Sequence, residues 1–129
     1  MVQPTKYRAD RPLRVGVVGV GVMGSNHARV FGDLPGVKLI GVADPDSKQR
    51  DFVSKALGCP AFSGVTPLLA EGVDAVTIAA PTHLHQELAL TCIERGVHVL
   101  VEKPIAPSVE EGRAIIAAAR SADVALMVG

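Results

Sequence analysis

Apolar residues fall along this chain in two alternating rhythms. The stretches Leu13–Val18, Val37–Ala43, Asp74–Ala79, Val97–Val101 and Val124–Val128 are near-continuous in valine, leucine, isoleucine and alanine. Such runs lack the in–out alternation of a half-solvated sheet and predict strands of a parallel sheet covered on both faces. Between them, apolar positions recur at the spacing of one helical stripe over Met23–Leu34, Asp46–Leu57, Thr82–Arg95 and Ser108–Ala122. A weaker stretch holds Ala61-Phe62 as a short strand and Thr66–Glu71 as a short helix. Thr66 is its expected cap and Pro67 lies in its first turn.

Punctuation agrees with this division. Pro35-Gly36 stops the first helix, while Gly58 and Gly96 follow the second and fourth. Ser108 with Glu111 has the form of a capping box. Strands alternating with helices define the class: α/β, a Rossmann-type doubly wound parallel sheet of about six strands, forming a single domain over residues 13–129. Residues 1–12 read as a disordered leader outside the fold, and the cluster Lys6, Arg8, Arg11 and Arg14 as a solvated tail rather than a binding arm. In such a sheet, ligands sit outside the carboxyl ends of the strands. That rule ranks the loops.

Composition narrows the partners. The 129 residues are 48% apolar, too many for a disordered chain. Thirteen basic residues balance thirteen acidic ones, so no net field draws the chain to nucleic acid or to a membrane surface. Aromatic content is 3% with no tryptophan, which argues against a stacking platform for bases or sugars. Cys59 and Cys92 lack C-x-x-C spacing and read as small packing residues of a reducing compartment. With no signal-peptide pattern and no span-length apolar run, the expected location is the cytoplasm.

The turn after the first strand is Gly19-Val20-Gly21-Val22-Met23-Gly24, a full G-x-G-x-x-G between a strand and a helix. Gly19 permits the tight turn, Gly21 lets a pyrophosphate approach the backbone, and Gly24 allows close helix–strand packing. The helix-start N–H groups then hold phosphate, including that of Met23, whose side chain also reads as core. Asp44 ends the second strand, where a carboxylate accepts ribose hydroxyls and repels a 2′-phosphate. Asp44-Pro45 also has the form of a helix cap with proline at the first position. Lys48 and Arg50 follow a turn later, so NADP(H) is disfavoured against NAD(H).

After the fourth predicted strand comes Ala79-Ala80-Pro81-Thr82-His83-Leu84-His85, with Thr82 placed to cap a helix. Two histidines two apart do not share a helical face, so no metal is expected. For His83 a plain surface role is favoured; His85 is balanced between surface and site. After the fifth strand comes Glu102-Lys103-Pro104, charged residues beyond a buried run and so placed for a cleft. Proline pushes Lys103 toward extended backbone and is a candidate for a cis bond. Lys103 can donate a proton or orient a hydroxyl there, or form an exposed ion pair with Glu102.

GVGVMGSNHARVF, VADPD, AAPTHLHQELAL and GVHVLVEKPIA together resemble the Gfo/Idh/MocA oxidoreductase family, named for glucose–fructose oxidoreductase and inositol dehydrogenase. The likeness covers about residues 13–129, and EKP with the preceding P-x-x-x-H loop is its most specific part. It implies Lys103 as the catalytic residue beside substrate and nicotinamide. It implies cofactor contacts at Val22, Met23, Asp44, Pro45, Pro81, Thr82, His85 and Glu102, beside the glycines 19, 21 and 24. The loop more often carries asparagine at Thr82, where a hydroxyl can still hydrogen-bond. Family members also carry a second α/β domain that supplies most of the substrate pocket, typically with an aspartate and a histidine. No such domain is in this sequence.

The leading expectation is therefore the NAD(H)-binding half of a dehydrogenase or reductase that transfers hydride to or from a sugar, cyclitol or similar polyol. Alone it should bind cofactor and turn over poorly or not at all. The alternative is a stand-alone NAD(H)-binding module for redox sensing or partner docking. A Rossmann domain for another nucleotide, such as CoA, needs neither Asp44 nor EKP. Apolar surface left on an isolated cofactor domain makes a homo-oligomer an expected form.

Overall fold

The structure is a computed structural model that describes residues 10–129. The elements follow in the order β1 (Leu13–Val18), α1 (Val22–Asp33), β2 (Val37–Ala43), α2 (Ser47–Leu57), β3 (Ala61–Phe62) and α3 (Val65–Ala70). Then come β4 (Ala75–Ile78), a 3-10 turn (Thr82–Leu84), α4 (His85–Glu94), β5 (His98–Val101), α5 (Val109–Ala122) and β6 (Leu126–Val128). The six strands form one sheet in the order β3-β2-β1-β4-β5-β6, and every pair is parallel. The α/β doubly wound fold read from the sequence is the fold observed.

Strand residues alternate between two covered faces. Val17, Val20 and Val42 pack with Ala28 of α1 and Val53 of α2. Val18, Ile78, Val99 and Val101 pack with Leu68 of α3, Ala89 and Cys92 of α4, and Ile115 of α5. Each face buries its own valines, which is why the strands read as continuous apolar runs.

Register places the candidate site. Val18 lies opposite Ala43 on one side and Ile78 on the other, and Ile78 opposite Val101. The next residues, Gly19, Asp44, Ala79 and Glu102, therefore leave the sheet side by side. Between β1 and β4 the strand order reverses, which opens the crevice where ligands of this architecture bind.

Four local expectations are corrected. Residues 1–9 of the expected leader lie outside the described residues, but Arg11 and Arg14 are no solvated tail. Arg11 donates both terminal nitrogens to Asp74, at 2.9 and 3.0 Å, and the Arg14 N–H adds a third bond at 2.9 Å. The Arg14 side chain donates to the carbonyls of Gly72 and Glu71. Thr66 does not cap α3, because the helix starts a residue earlier from extended Gly64 with no side-chain cap. Asp44-Pro45 is not a helix cap either: Asp46 caps α2, accepting from the N–H groups of Lys48 and Gln49.

Nor does Thr82 cap a continuous helix. The His85 ring nitrogen Nε2 takes the Ala80 carbonyl at 2.8 Å, so the Leu84 N–H bonds Pro81 instead and tightens the first turn to 3-10 geometry. By contrast Ser108 caps α5, and its hydroxyl donates to Glu111 as that residue's N–H donates back.

Candidate dinucleotide site

A cleft of about 660 Å³ opens beyond the strand ends, lined by Gly19, Gly21, Asp44, Pro45, Pro81 and Leu88 among others. Its floor is the glycine turn. Gly19 sits at φ +88°, and a Cβ there would meet the Ala80 backbone nitrogen at 2.6 Å. A Cβ on Gly24 would lie 1.6 Å from the Gly19 carbonyl oxygen. Both are therefore required by the fold itself.

Gly21 differs. Its φ is −69°, open to any residue, and a Cβ there would meet nothing within 4 Å. Neither backbone strain nor packing calls for glycine; only the space in front of it does. Gly21, which lines the cleft, begins α1 without a side-chain cap, so the N–H groups of the first turn have no intrahelical partner. Val22 and Met23 lie there with their side chains exposed, so Met23 is not core. An open glycine before an uncapped helix start fits a diphosphate.

Asp44 is held on two sides. One carboxylate oxygen accepts the Val20 N–H at 2.9 Å and the other accepts the Asp46 N–H at 2.9 Å. A carboxylate offers about four acceptor positions, so roughly two remain for a vicinal diol. The Val20 carbonyl is fixed in turn by Ser25 Oγ at 2.9 Å and Gln49 Nε2 at 2.5 Å. The sequence reading missed Ser25 and Gln49. No motif marks them, and their role depends on α2 folding back over the turn. One terminal nitrogen of Arg50 donates to the backbone carbonyls of Asp44 and Pro45, each at 3.2 Å.

The loop after β4 divides. Pro81 lines the cleft with Leu84, Glu87 and Leu88, none of the last three foreseen as lining. Thr82 is half-buried and His83 exposed. His85 is 1% exposed, with Nδ1 3.0 Å from the Pro104 carbonyl and Nε2 2.8 Å from that of Ala80. Its ring thus ties the β4 loop to the β5 loop from inside and does not line the cleft. Among the described residues, no group of three histidines, cysteines or acids is arranged to hold a metal.

Beyond β5, Glu102 and Lys103 stand across the switch point from Asp44. The Lys103-Pro104 peptide is cis and the Lys103 side chain exposed. Lys103 does not pair with Glu102. The Glu102 carboxylate meets Nε2 of His27, a residue of α1 that the sequence reading passed over.

Strand order, the glycine turn and a carboxylate ending the second strand define a dinucleotide-binding Rossmann domain. Comparison with known proteins goes one step further: the family model described as "Oxidoreductase family, NAD-binding Rossmann fold" matches residues 13–129. The chain belongs to this Gfo/Idh/MocA family, as its NAD-binding domain.

It is 38% identical over 113 residues to inositol 2-dehydrogenase 4 of Saccharopolyspora erythraea, covering 85% of this chain and 33% of that protein. It is 39% identical to UDP-N-acetylglucosamine 3-dehydrogenase of Acidithiobacillus ferrooxidans, whose crystal structure superposes with a TM-score of 0.87 over 92% of this chain and 38% of that one. GenD2 from gentamicin A biosynthesis, in complex with NAD, gives a TM-score of 0.89 at 33% identity over 100% of this chain and 37% of its own. The chain spans about a third of the length of the curated relatives it matches. No helix among the described residues is long and apolar enough to cross a membrane.

Proposed function

We propose that this chain binds NAD(H) across the β1–β4 switch point and forms the cofactor half of a dehydrogenase acting on a sugar, cyclitol or related polyol. The observation that carries this reading is Asp44, whose two oxygens are already oriented by Val20 and Asp46 and keep acceptor capacity toward the cleft. The α1 start takes the diphosphate at Gly21, Val22 and Met23. Pro45 flanks the adenosine side, while Pro81 and Thr82, which follow β4, lie toward the nicotinamide half. When bound, the nicotinamide supplies hydride chemistry at its C4 carbon. Glu102 and Lys103 face that second half, and Lys103 is the group that hands a proton to, or takes one from, the substrate oxygen.

A carboxylate at Asp44 repels a 2′-phosphate, and Arg50 turns one terminal nitrogen of its guanidinium to the Asp44 and Pro45 carbonyls. The carboxylate favours NAD(H) over NADP(H). The substrate class follows from the names of the relatives, inositol and UDP-sugar dehydrogenases. In those proteins about two thirds of the length lies outside the matched region, and there we place most of the substrate pocket. Two buried free thiols suit a reducing cytoplasm.

Titration of the purified chain with NADH and NADPH tests the reading. NADH is expected to bind in preference, and Asp44→Ala to weaken it by about 2 kcal/mol, roughly thirtyfold, as hydrogen bonds to a charged group are lost. The same variant should narrow the gap to NADPH. Equal affinity for both nucleotides, unchanged by the mutation, would sink the assignment.

A further inference from the structure

The proposed cofactor contacts leave one built feature unexplained: the pairing of His27 with Glu102. His27 follows Gly24 by three residues on α1, beside the buried stripe of Gly24 and Ala28 that faces the sheet. Its ring lies near-parallel to that of Phe31, centroids 6.4 Å apart and planes 24° apart. From there Nε2 reaches Oε1 of Glu102 across the end of β5. Both side chains are largely withdrawn from water, at 24% and 17% exposure. The Glu102 backbone is already pinned, its N–H donating to Ile78 at 3.0 Å. The direction of its carboxylate is therefore set by His27. The contact takes one oxygen and leaves the other for a ligand.

The place of this pair matters. In a 3-2-1-4-5-6 sheet the first three strands serve one mononucleotide and the last three the other. Asp44 belongs to the first half and Glu102, after β5, to the second. We propose that His27 is a positioning residue: by holding Glu102 it aims that carboxylate at the nicotinamide half and ties the diphosphate-binding helix to the loop that carries Lys103. The proposal rests on the NAD(H) reading above.

The test compares two ligands that share the adenosine and diphosphate. NADH carries the second half and ADP does not. His27→Ala is expected to weaken NADH by about tenfold while ADP affinity stays within about twofold, and His27→Gln, whose amide nitrogen can reach the same oxygen, to restore most of it. His27→Asn, too short to reach, should behave as alanine does and serves if alanine unfolds the helix. In a Glu102→Ala background the effect of His27→Ala should largely vanish, because the coupling runs through that side chain. An equal loss for NADH and ADP means His27 merely packs α1 and overturns the proposal, as does no loss for either. If the unmutated chain binds neither ligand, the cofactor reading itself fails. If it binds both and His27→Ala changes nothing, only the positioning role is lost.

Discussion

Gly21 and Gly24 stand three residues apart in one motif, yet alanine at each should fail in opposite ways. At Gly24 an ideal Cβ falls 1.6 Å from the Gly19 carbonyl oxygen. Carbon and oxygen ordinarily approach no closer than about 3.3 Å, so the start of α1 must retreat by roughly 1.7 Å. The obstructing atom is backbone and cannot rotate away. Overpacking of this kind costs about 3 kcal/mol, and the gain of alanine over glycine in a helix returns about 1 kcal/mol. The net loss is about 2 kcal/mol, or roughly 8 °C in melting temperature for a domain of this size. At Gly21 the added methyl meets nothing within 4 Å. The poorer helix cap and the stiffer unfolded chain roughly cancel, so stability should stay within about 0.5 kcal/mol. The methyl nevertheless occupies the space proposed for the diphosphate, and NADH affinity should fall at least tenfold, about 1.4 kcal/mol. Thermal unfolding followed by circular dichroism, with NADH titration of each variant, separates the two. The reasoning is refuted if Gly24→Ala melts like the parent, or if Gly21→Ala keeps both its stability and its NADH affinity.

His85→Ala should cost roughly 2–4 kcal/mol in denaturant unfolding, because it opens a cavity and strips the hydrogen-bond donor from an interior carbonyl; unchanged stability would show that His85 does not knit the two loops together. Burial pushes the Asp74 carboxyl up, but the Arg11 guanidinium and the Arg14 N–H outweigh it and hold it below the usual carboxylate range. The stability this clasp contributes is present above about pH 4 and is lost as pH falls through the lowered value. Arg11→Ala should therefore move the acid-unfolding midpoint to higher pH, and an unmoved midpoint would contradict the clasp. Burial pushes the Cys92 thiol up to about 12 and raises that of Cys59 as well. Neither should react with a thiol reagent at neutral pH until the chain unfolds, and labelling of the folded protein, read by mass, is the check.

Much was settled before any folding was considered. The runs at Leu13–Val18 and Val37–Ala43 are the observed strands residue for residue, because a strand buried on both faces leaves no room for polar interruptions. The glycine turn and Asp44 were legible for a related reason: each lies at the end of such a run, and local chemistry there is dictated by the turn itself. Helix starts were less legible. Thr66 and Thr82 carry the residue type of a cap, but a contact from the His85 ring back to Ala80 and an extended Gly64 decide where those helices begin.

Tertiary structure alone assigned the partners. Arg11 looked like tail because its carboxylate, Asp74, stands 63 residues away. His85 looked like a loop residue equally suited to surface or site, and only the Pro104 carbonyl brought from the next loop makes it interior. His27 carried no motif at all, and its meaning comes from Glu102 arriving on the far strand. Periodicity and turn chemistry are local and can be read along the chain, whereas hydrogen-bond partners are chosen by which strand ends the sheet order sets side by side.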